Sequence, residues 1–431
     1  MLSEKVAVVG VGYVGITVAC VLAEVGFETV GVDVDPERVR TINHGHSPIL
    51  GKEPGLDELI EKMIASKRLR ATTDIHEAED RDAYFVCVDT PVDDNMMPRL
   101  DILKSVCRDI GRVMGPSCLV SIESTLPPRT MHTVVIPILE EQSGLKAGED
   151  FSVVHCPERV MPGRLLHNLR SYSRVLGGID SKAIEKAGHY YSKIIEGELY
   201  PTDLLSAEIS KTAENAYRDV QIAFANEIAL ICERLGADAF EVRRLVNTCP
   251  FRDMHVPGGG VGGHCLPKDS WLLAKSVENG DLRMISGARD INELMPHHLA
   301  KLAEEAMIEA KRPMKGARIS VMGLAFLRDS DDIRNSPAMT VVDHFIGRAD
   351  VRVHDPFAIT GYKVPVERDL ESALRGSDCA VFVTDHSAYA DLDLKWMKGL
   401  MRTPIIVDGR NIFDARACRA EGFLYRGIGK S

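Results

Sequence analysis

The chain has 431 residues, 45% of them hydrophobic and 27% charged, enough for two or three domains with substantial buried cores. Its 52 basic against 63 acidic side chains leave a net charge of −11, which argues against a generic nucleic-acid or anionic-membrane surface. No stretch approaches the roughly 20 apolar residues of a membrane span, and the 10 cysteines are scattered without a C-x-x-C clip, so a reducing, cytoplasmic location is expected.

In chain order, the β-branched runs KVAVVG, TVGVDVD, DAYFVCVDT, CLVSIEST and FSVVHCPE each end in turn or polar residues, with helical patterns between them. That rhythm predicts a parallel sheet with crossover helices, a Rossmann-like domain over residues 1–200. Directly after the first run, Gly10, Gly12 and Gly15 form G-x-G-x-x-G ahead of an apolar helix. Glycines there permit a tight turn, close approach of a pyrophosphate and packing of helix on strand, with the helix N-terminus facing the anion. Asp33 closes the next strand, where a carboxylate hydrogen-bonds the adenosine ribose and opposes a 2′-phosphate, so NAD is expected over NADP. Arg38 follows closely enough to stack on adenine or contact phosphate.

After Pro201, the segment DLLSAEISKTAENAYRDVQIAFANEIALICERLG repeats apolar residues at three-and-four spacing, which predicts one long helix ending before Gly236. Lys211 and Asn215 share one of its faces. A cation beside an amide suits a developing oxyanion, and it equally suits a solvated polar stripe. Residues 201–311 read as mostly helical, broken by GGGVGGHCLPKD. Its glycines mark a loop open to close substrate approach, with Cys265 as a candidate nucleophile and Lys268 beside it favouring the thiolate. Cys249, His255, His264 and Cys265 lack the spacing of a zinc clip, and no metal is expected. From Lys315 the runs ARISVMG, DVRVHDP, CAVFVTD and PIIVDGR restore the alternation, predicting a second Rossmann-like domain over 312–431.

Seven motifs occur in order: GVGYVG, VDTP at 88–91, ESTLPP at 123–128, CPERVMPG at 156–163, EISKTAENAYRD at 208–219, GGHCLPKD at 262–269 and GLAFLRDSDDIRNSP at 323–337. Through them the chain resembles the nucleotide-sugar 6-dehydrogenases, the UDP-glucose/GDP-mannose dehydrogenase family, from Val6 to about Asp414. The resemblance implies two doubly wound α/β domains joined by a long central helix and a helical dimerisation segment. It also implies oxidation of a sugar carbon 6 from alcohol to acid by two NAD in turn, through a cysteine thiohemiacetal and a thioester.

Carried over residue by residue, Cys265 matches the nucleophile, Lys211 and Asn215 the oxyanion-stabilising pair, and Asp269 the carboxylate that assists proton transfer. Glu158 matches the acid implicated in thioester hydrolysis, and Thr125 a residue that holds a water near the reacting carbon. Gly10, Gly12, Tyr13, Val14, Gly15, Asp33, Arg38, Thr90 and Arg334 match cofactor positions, Arg334 being supplied from the far domain or a neighbouring subunit. Arg159, Val160, Lys211, Asn215, Arg252, Gly262, His264 and Arg410 match substrate contacts. CPERVMPG and GGHC resemble the N-acetylhexosamine branch, which points to UDP-N-acetyl-D-mannosamine, with UDP-N-acetylglucosamine and UDP-glucose as alternatives. Pro162 replaces a second acid of the glucose branch, and Leu327 a lysine that often touches substrate. Two other classes remain open on these residues: a two-electron hydroxyacid dehydrogenase, and an NAD-binding protein without catalysis.

Overall fold

Short apolar runs flanked by glycine and carboxylate form the first sheet, from β1 (Lys5–Val9), β2 (Glu28–Val32), β3 (Leu69–Thr72) and β4 (Ala83–Val86) to β5 (Leu119–Ile122), β6 (Ser152–His155), β7 (Arg174–Gly178) and β8 (Leu199–Asp203). The computed structural model describes residues 4–49, 53–161, 163–277, 282–358 and 360–430. The strand order is β3-β2-β1-β4-β5-β6-β7-β8, parallel throughout except for the antiparallel pair β6 and β7. Order reverses between β1 and β4, which opens a crevice at their carboxyl ends where α/β sheets bind ligands.

The second sheet comprises β9 (Arg318–Met322), β10 (Asp350–His354), β11 (Val366–Glu367), β12 (Cys379–Phe382), β13 (Ile405–Asp408) and β14 (Leu424–Gly427). Its order β11-β10-β9-β12-β13-β14 repeats the doubly wound plan, and so do its details. Gly10 N–H donates to Val32 O at 2.8 Å in the first sheet, and Gly323 N–H donates to His354 O at 2.8 Å in the second. The inner strands of both sheets are largely buried and read as continuous apolar runs, whereas the edge strands β8 and β11 are not. Every run singled out in the sequence is a strand.

Between the sheets in sequence lies the expected long helix, Leu204–Leu235, of 32 residues. Shorter helices follow at Ala239–Val246, Cys265–Ala274 and Arg283–Glu309. The chain divides into two compact units, Met1–Glu214 with Trp271–Gly280, and Asn215–Ser270 with Asp281–Ser431. Packing explains why the later part of the long helix groups with the second sheet: Ala229 and Cys232 share an apolar cluster with Leu299, Ile319 and Val407.

Candidate active site

In the first unit, Gly10 (φ +86°) turns the chain out of β1, and a Cβ there would meet Cys87 O at 2.8 Å. A Cβ on Gly15 would lie 1.8 Å from Gly10 O, so this glycine is required for helix Tyr13–Glu24 to pack on the turn. Gly12 differs, since its Cβ direction is open space and the helix it caps has no side-chain capping bond. An open approach to the start of this helix fits a pyrophosphate. Tyr13 and Val14 are half-buried against the core of this sheet.

At the end of β2, Asp33 accepts Val11 N–H at 2.9 Å and Asp35 N–H at 3.0 Å. Arg38 Nη1 lies 2.8 and 2.9 Å from its two oxygens. The corresponding carboxylate of the second sheet, Asp355, is fully buried. It accepts from Leu324, Ala325, Phe357 and Ala358 N–H and contacts His386. That oxygen inventory leaves Asp355 no room for a ribose, whereas the glycine turn with Asp33 fits NAD.

Beyond β4 and β5, Thr90 Oγ1 donates to Thr125 O at 2.6 Å, and Ser124 Oγ donates to Val88 O at 2.7 Å. The loop bearing Thr125 is thereby tied to the 88–90 turn. After β6, Glu158 is half-buried and accepts Val160 N–H at 2.5 Å, while Arg159 pairs with Glu214 at 2.8 Å. Lys211 is buried on the long helix, one turn before Asn215.

Three buried groups here escaped the sequence reading. Glu123 is paired with Arg174 at 2.9 Å and accepts Tyr191 Oη–H at 2.8 Å; its place in ESTLPP was the available signal. His155 accepts no bond at Nε2 and is 2.9 Å from Ile122 O through Nδ1. Burial, with Lys211 nearby, pulls its pKa down to about 4. Glu208 is fully buried, and burial pushes its carboxyl up to about 7 against the pull of Arg129, Thr130 and Met131 N–H groups.

In the second unit, Cys265 is exposed and stands at the first residue of helix Cys265–Ala274. The sequence expectation of a loop through Lys268 and Asp269 is corrected, because Leu266, Trp271, Leu272, Leu273 and Ala274 of LPKDSWLLA suffice to seat a helix there. Asn215 Nδ2 donates to Asp269 Oδ2 at 2.6 Å, and Lys268 Nζ lies 2.8 Å from Asp269 Oδ1. Asp269 is one turn beyond Cys265 on the same helix.

The glycines before Cys265 also have a packing role. A Cβ on Gly262 would meet Phe326 Cβ at 2.5 Å, and one on Gly263 (φ +87°) the Phe326 ring at 2.8 Å. A Cβ on Gly258 would meet Arg410 Nη1 at 2.8 Å. They are small so that the loop can lie against its own unit. Gly263 N–H donates to Arg334 O at 2.8 Å, and Arg334 pairs with Asp332 at 2.6 Å. His264 is half-buried and Leu327 is exposed. Arg252 is exposed, its Nη1 donating to Phe251 O at 3.3 Å. Pro162 lies outside the described residues. A polar network missed in the sequence supports the loop: Asn226 accepts Gly258 N–H at 2.9 Å and donates to Asn292 at 2.9 Å.

Three models of one family match in order. They are described as the NAD binding domain, the central domain and the UDP binding domain of the UDP-glucose/GDP-mannose dehydrogenase family, over residues 4–195, 205–294 and 320–415. A UDP-N-acetyl-D-mannosamine dehydrogenase of Pyrococcus horikoshii is 38% identical over 427 residues, which is 99% of each chain. A solved structure of the UDP-D-ManNAc dehydrogenase from Pyrococcus horikoshii has a TM-score of 0.93, covering 99% of each chain at 38% identity. An NDP-N-acetyl-D-galactosaminuronic acid dehydrogenase of Ralstonia nicotianae is 34% identical, covering 97% of this chain and 98% of its own.

Proposed function

The chain belongs to the UDP-glucose/GDP-mannose dehydrogenase family, and from that premise we propose that it oxidises carbon 6 of UDP-N-acetyl-D-mannosamine to the uronic acid. It is an NAD-dependent nucleotide-sugar dehydrogenase; the finer reading concerns the sugar, the residues and the mechanism. Bound at the glycine turn with Asp33, NAD would supply the hydride acceptor for each of the two oxidations. Cys265 attacks the aldehyde carbon and carries the sugar first as a thiohemiacetal and then as a thioester, which water cleaves. The Lys211 ammonium and the Asn215 amide stabilise charge on oxygen at the tetrahedral stages. Asp269 assists proton transfer, Thr125 holds the water, and Glu158 serves hydrolysis.

The observation that carries this reading is Asn215 donating to Asp269 at 2.6 Å, one turn beyond an exposed Cys265 at a helix start. One amide N–H orients the carboxylate while the second remains for substrate oxygen. CPERVMPG, GGHC and the Pyrococcus relative favour the mannosamine substrate. The Ralstonia relative favours another N-acetylated hexosamine as the second reading. In this account residues 1–200 bind NAD, 201–311 form a dimerisation segment, and 312–431 bind the UDP portion. The long helix presents Tyr217, Phe224 and Ile231 to solvent, and a second copy of the chain covers them.

The test is NADH formed per sugar across UDP-N-acetylmannosamine, UDP-N-acetylglucosamine, UDP-glucose and GDP-mannose. Two NADH per UDP-N-acetylmannosamine, with that sugar fastest, is expected. Faster turnover of UDP-glucose overturns the substrate, and one NADH per sugar overturns the mechanism. Cys265→Ser should bind NAD and sugar nucleotide yet lose four-electron turnover, because an alcohol stays protonated near neutrality and offers no thioester route. Uronic acid made by Cys265→Ser at the unmodified rate would rule out covalent catalysis by this thiol.

A further inference from the structure

Glu208 is a fully buried carboxylate that the reaction scheme does not use. It lies three residues before Lys211 on the long helix, on the turn next to Ala207, and a Cβ on Gly177 would meet Ala207 Cβ at 2.6 Å. That contact fixes this turn against β7, where Gly177 pairs with His155 of β6. From this anchored turn the carboxylate reaches a different segment of the same unit. Oε2 accepts Arg129 N–H at 2.8 Å and Oε1 accepts Met131 N–H at 2.7 Å.

Those two donors are where the loop of Thr125 ends. Arg129 has φ +75°, a left-handed conformation that a non-glycine residue holds at a cost of about 1 kcal/mol or more. Met131 begins a π-helical turn, Met131–Val135, whose first N–H groups have no partner within the helix. Glu208 supplies acceptors to both places at once. At its other end the loop is fixed by Thr90 donating to Thr125 O at 2.6 Å, and Ser124 is bonded to Val88. The segment from Ser124 to Met131 is therefore held at two points, one of them a side chain of the helix that carries Lys211.

We propose that Glu208 is a positioning residue for the oxidation, a strut that fixes the Thr125 loop relative to Lys211 through the Arg129 and Met131 N–H groups. The proposal rests on the catalytic roles assigned above to Thr125 and Lys211. In its ionised form a carboxylate is the group suited to this task, because its two oxygens accept two converging N–H donors, and charge-assisted bonds of that kind are stronger than neutral ones. An amide offers one oxygen and sets its NH2 group against the second donor. A strut used only for stability lowers the melting temperature and leaves kcat of the folded enzyme alone. A positioning strut lowers kcat while NAD affinity and KM for the sugar nucleotide stay nearly unchanged, since misplacement by about 1 Å is felt chiefly in the chemical step.

Full-length Glu208→Gln and Glu208→Ala are compared with the unmodified chain by NADH formation, NAD titration and melting temperature. Expected are a fall in kcat of about tenfold for Gln and more for Ala, with KM and the NAD dissociation constant within about twofold. Backbone hydrogen exchange on the unmodified chain supplies a readout that needs no variant: the Arg129 and Met131 amides should exchange far more slowly than in an unfolded peptide of the same sequence. Unchanged kcat in folded Glu208→Ala, or rapid exchange at both amides, overturns the strut while leaving the dehydrogenase reading intact. Failure of the unmodified chain to form NADH from any of the four sugar nucleotides overturns the reading itself and the strut with it.

Discussion

Asp33 is held by its own neighbours, since Val11 and Asp35 N–H groups and the Arg38 guanidinium all converge on it. Removing the carboxylate leaves those donors short of an acceptor, so Asp33→Ala should lose about 1–3 kcal/mol of stability. It should also raise KM for NAD and narrow the preference over NADP, as steady-state assays with both cofactors will show. Unchanged discrimination would remove Asp33 from cofactor choice. His155 carries a second residue-scale expectation. Burial is the main force holding its imidazole at about 4, below the ordinary value of about 6.5, so the unfolded chain takes up this proton first as pH falls. Stability should be full above about pH 6.5, decline down to about pH 4 and level off, by an amount on the order of 3 kcal/mol. Urea unfolding at several pH values checks this, and His155→Gln should flatten that part of the profile. A profile that is the same in both proteins would place the acid sensitivity elsewhere.

At the scale of elements, the glycine loop shows how a side chain that is absent can fix a path. Gly262→Ala would drive a Cβ to 2.5 Å from Phe326 Cβ, overpacking that typically destabilises by about 1–3 kcal/mol. A lower melting temperature and reduced kcat/KM are expected, with partial recovery on adding Phe326→Gly, which removes the opposing Cβ; no recovery would mean that the Phe326 Cβ is not the obstacle. The glycines and Cys265 were legible from sequence because local composition announces a special backbone. Phe326 was not, since it approaches from 64 positions beyond Gly262 in the numbering and no local pattern encodes that meeting. Strands follow the same division. β1, β2, β4, β5 and β6 are apolar enough to announce themselves, whereas β8 is a largely exposed edge strand containing Pro201, and β7 ends in Gly177 and Gly178. Such strands are defined by neighbours rather than by their own hydrophobicity. Lys211, Asn215 and Asp269 were legible as motif positions, while Glu208 and Asn226 resembled ordinary helix polar residues.

For the molecule as a whole, the long helix poses a question of solubility that its own unit does not answer. Its inward face is satisfied: Asp219 receives Arg289 and Asn292 at 2.8 Å each, and Ala223, Ala225 and Ala229 are buried. Its outward face carries Tyr217, Phe224 and Ile231 at seven-residue intervals, 66%, 55% and 44% exposed, with Leu235 at 79%. Seven residues are close to two helical turns, so the three form one stripe along the helix. Aromatic side chains each bury about 150–250 Å² when covered, and a stable interface buries about 800 Å² on each partner. Two such stripes related by twofold symmetry, with the flanking side chains, approach that area, and an isologous contact is the commonest way to cover one. Phe224→Lys together with Ile231→Lys would set like charges against each other across the axis. Light scattering should therefore find a dimer for the unmodified chain and a monomer of unchanged helix content for the double variant. A double variant that remains dimeric would show that the stripe is not the contact, and an unmodified chain that is monomeric at micromolar concentration would rule out the second copy as its cover.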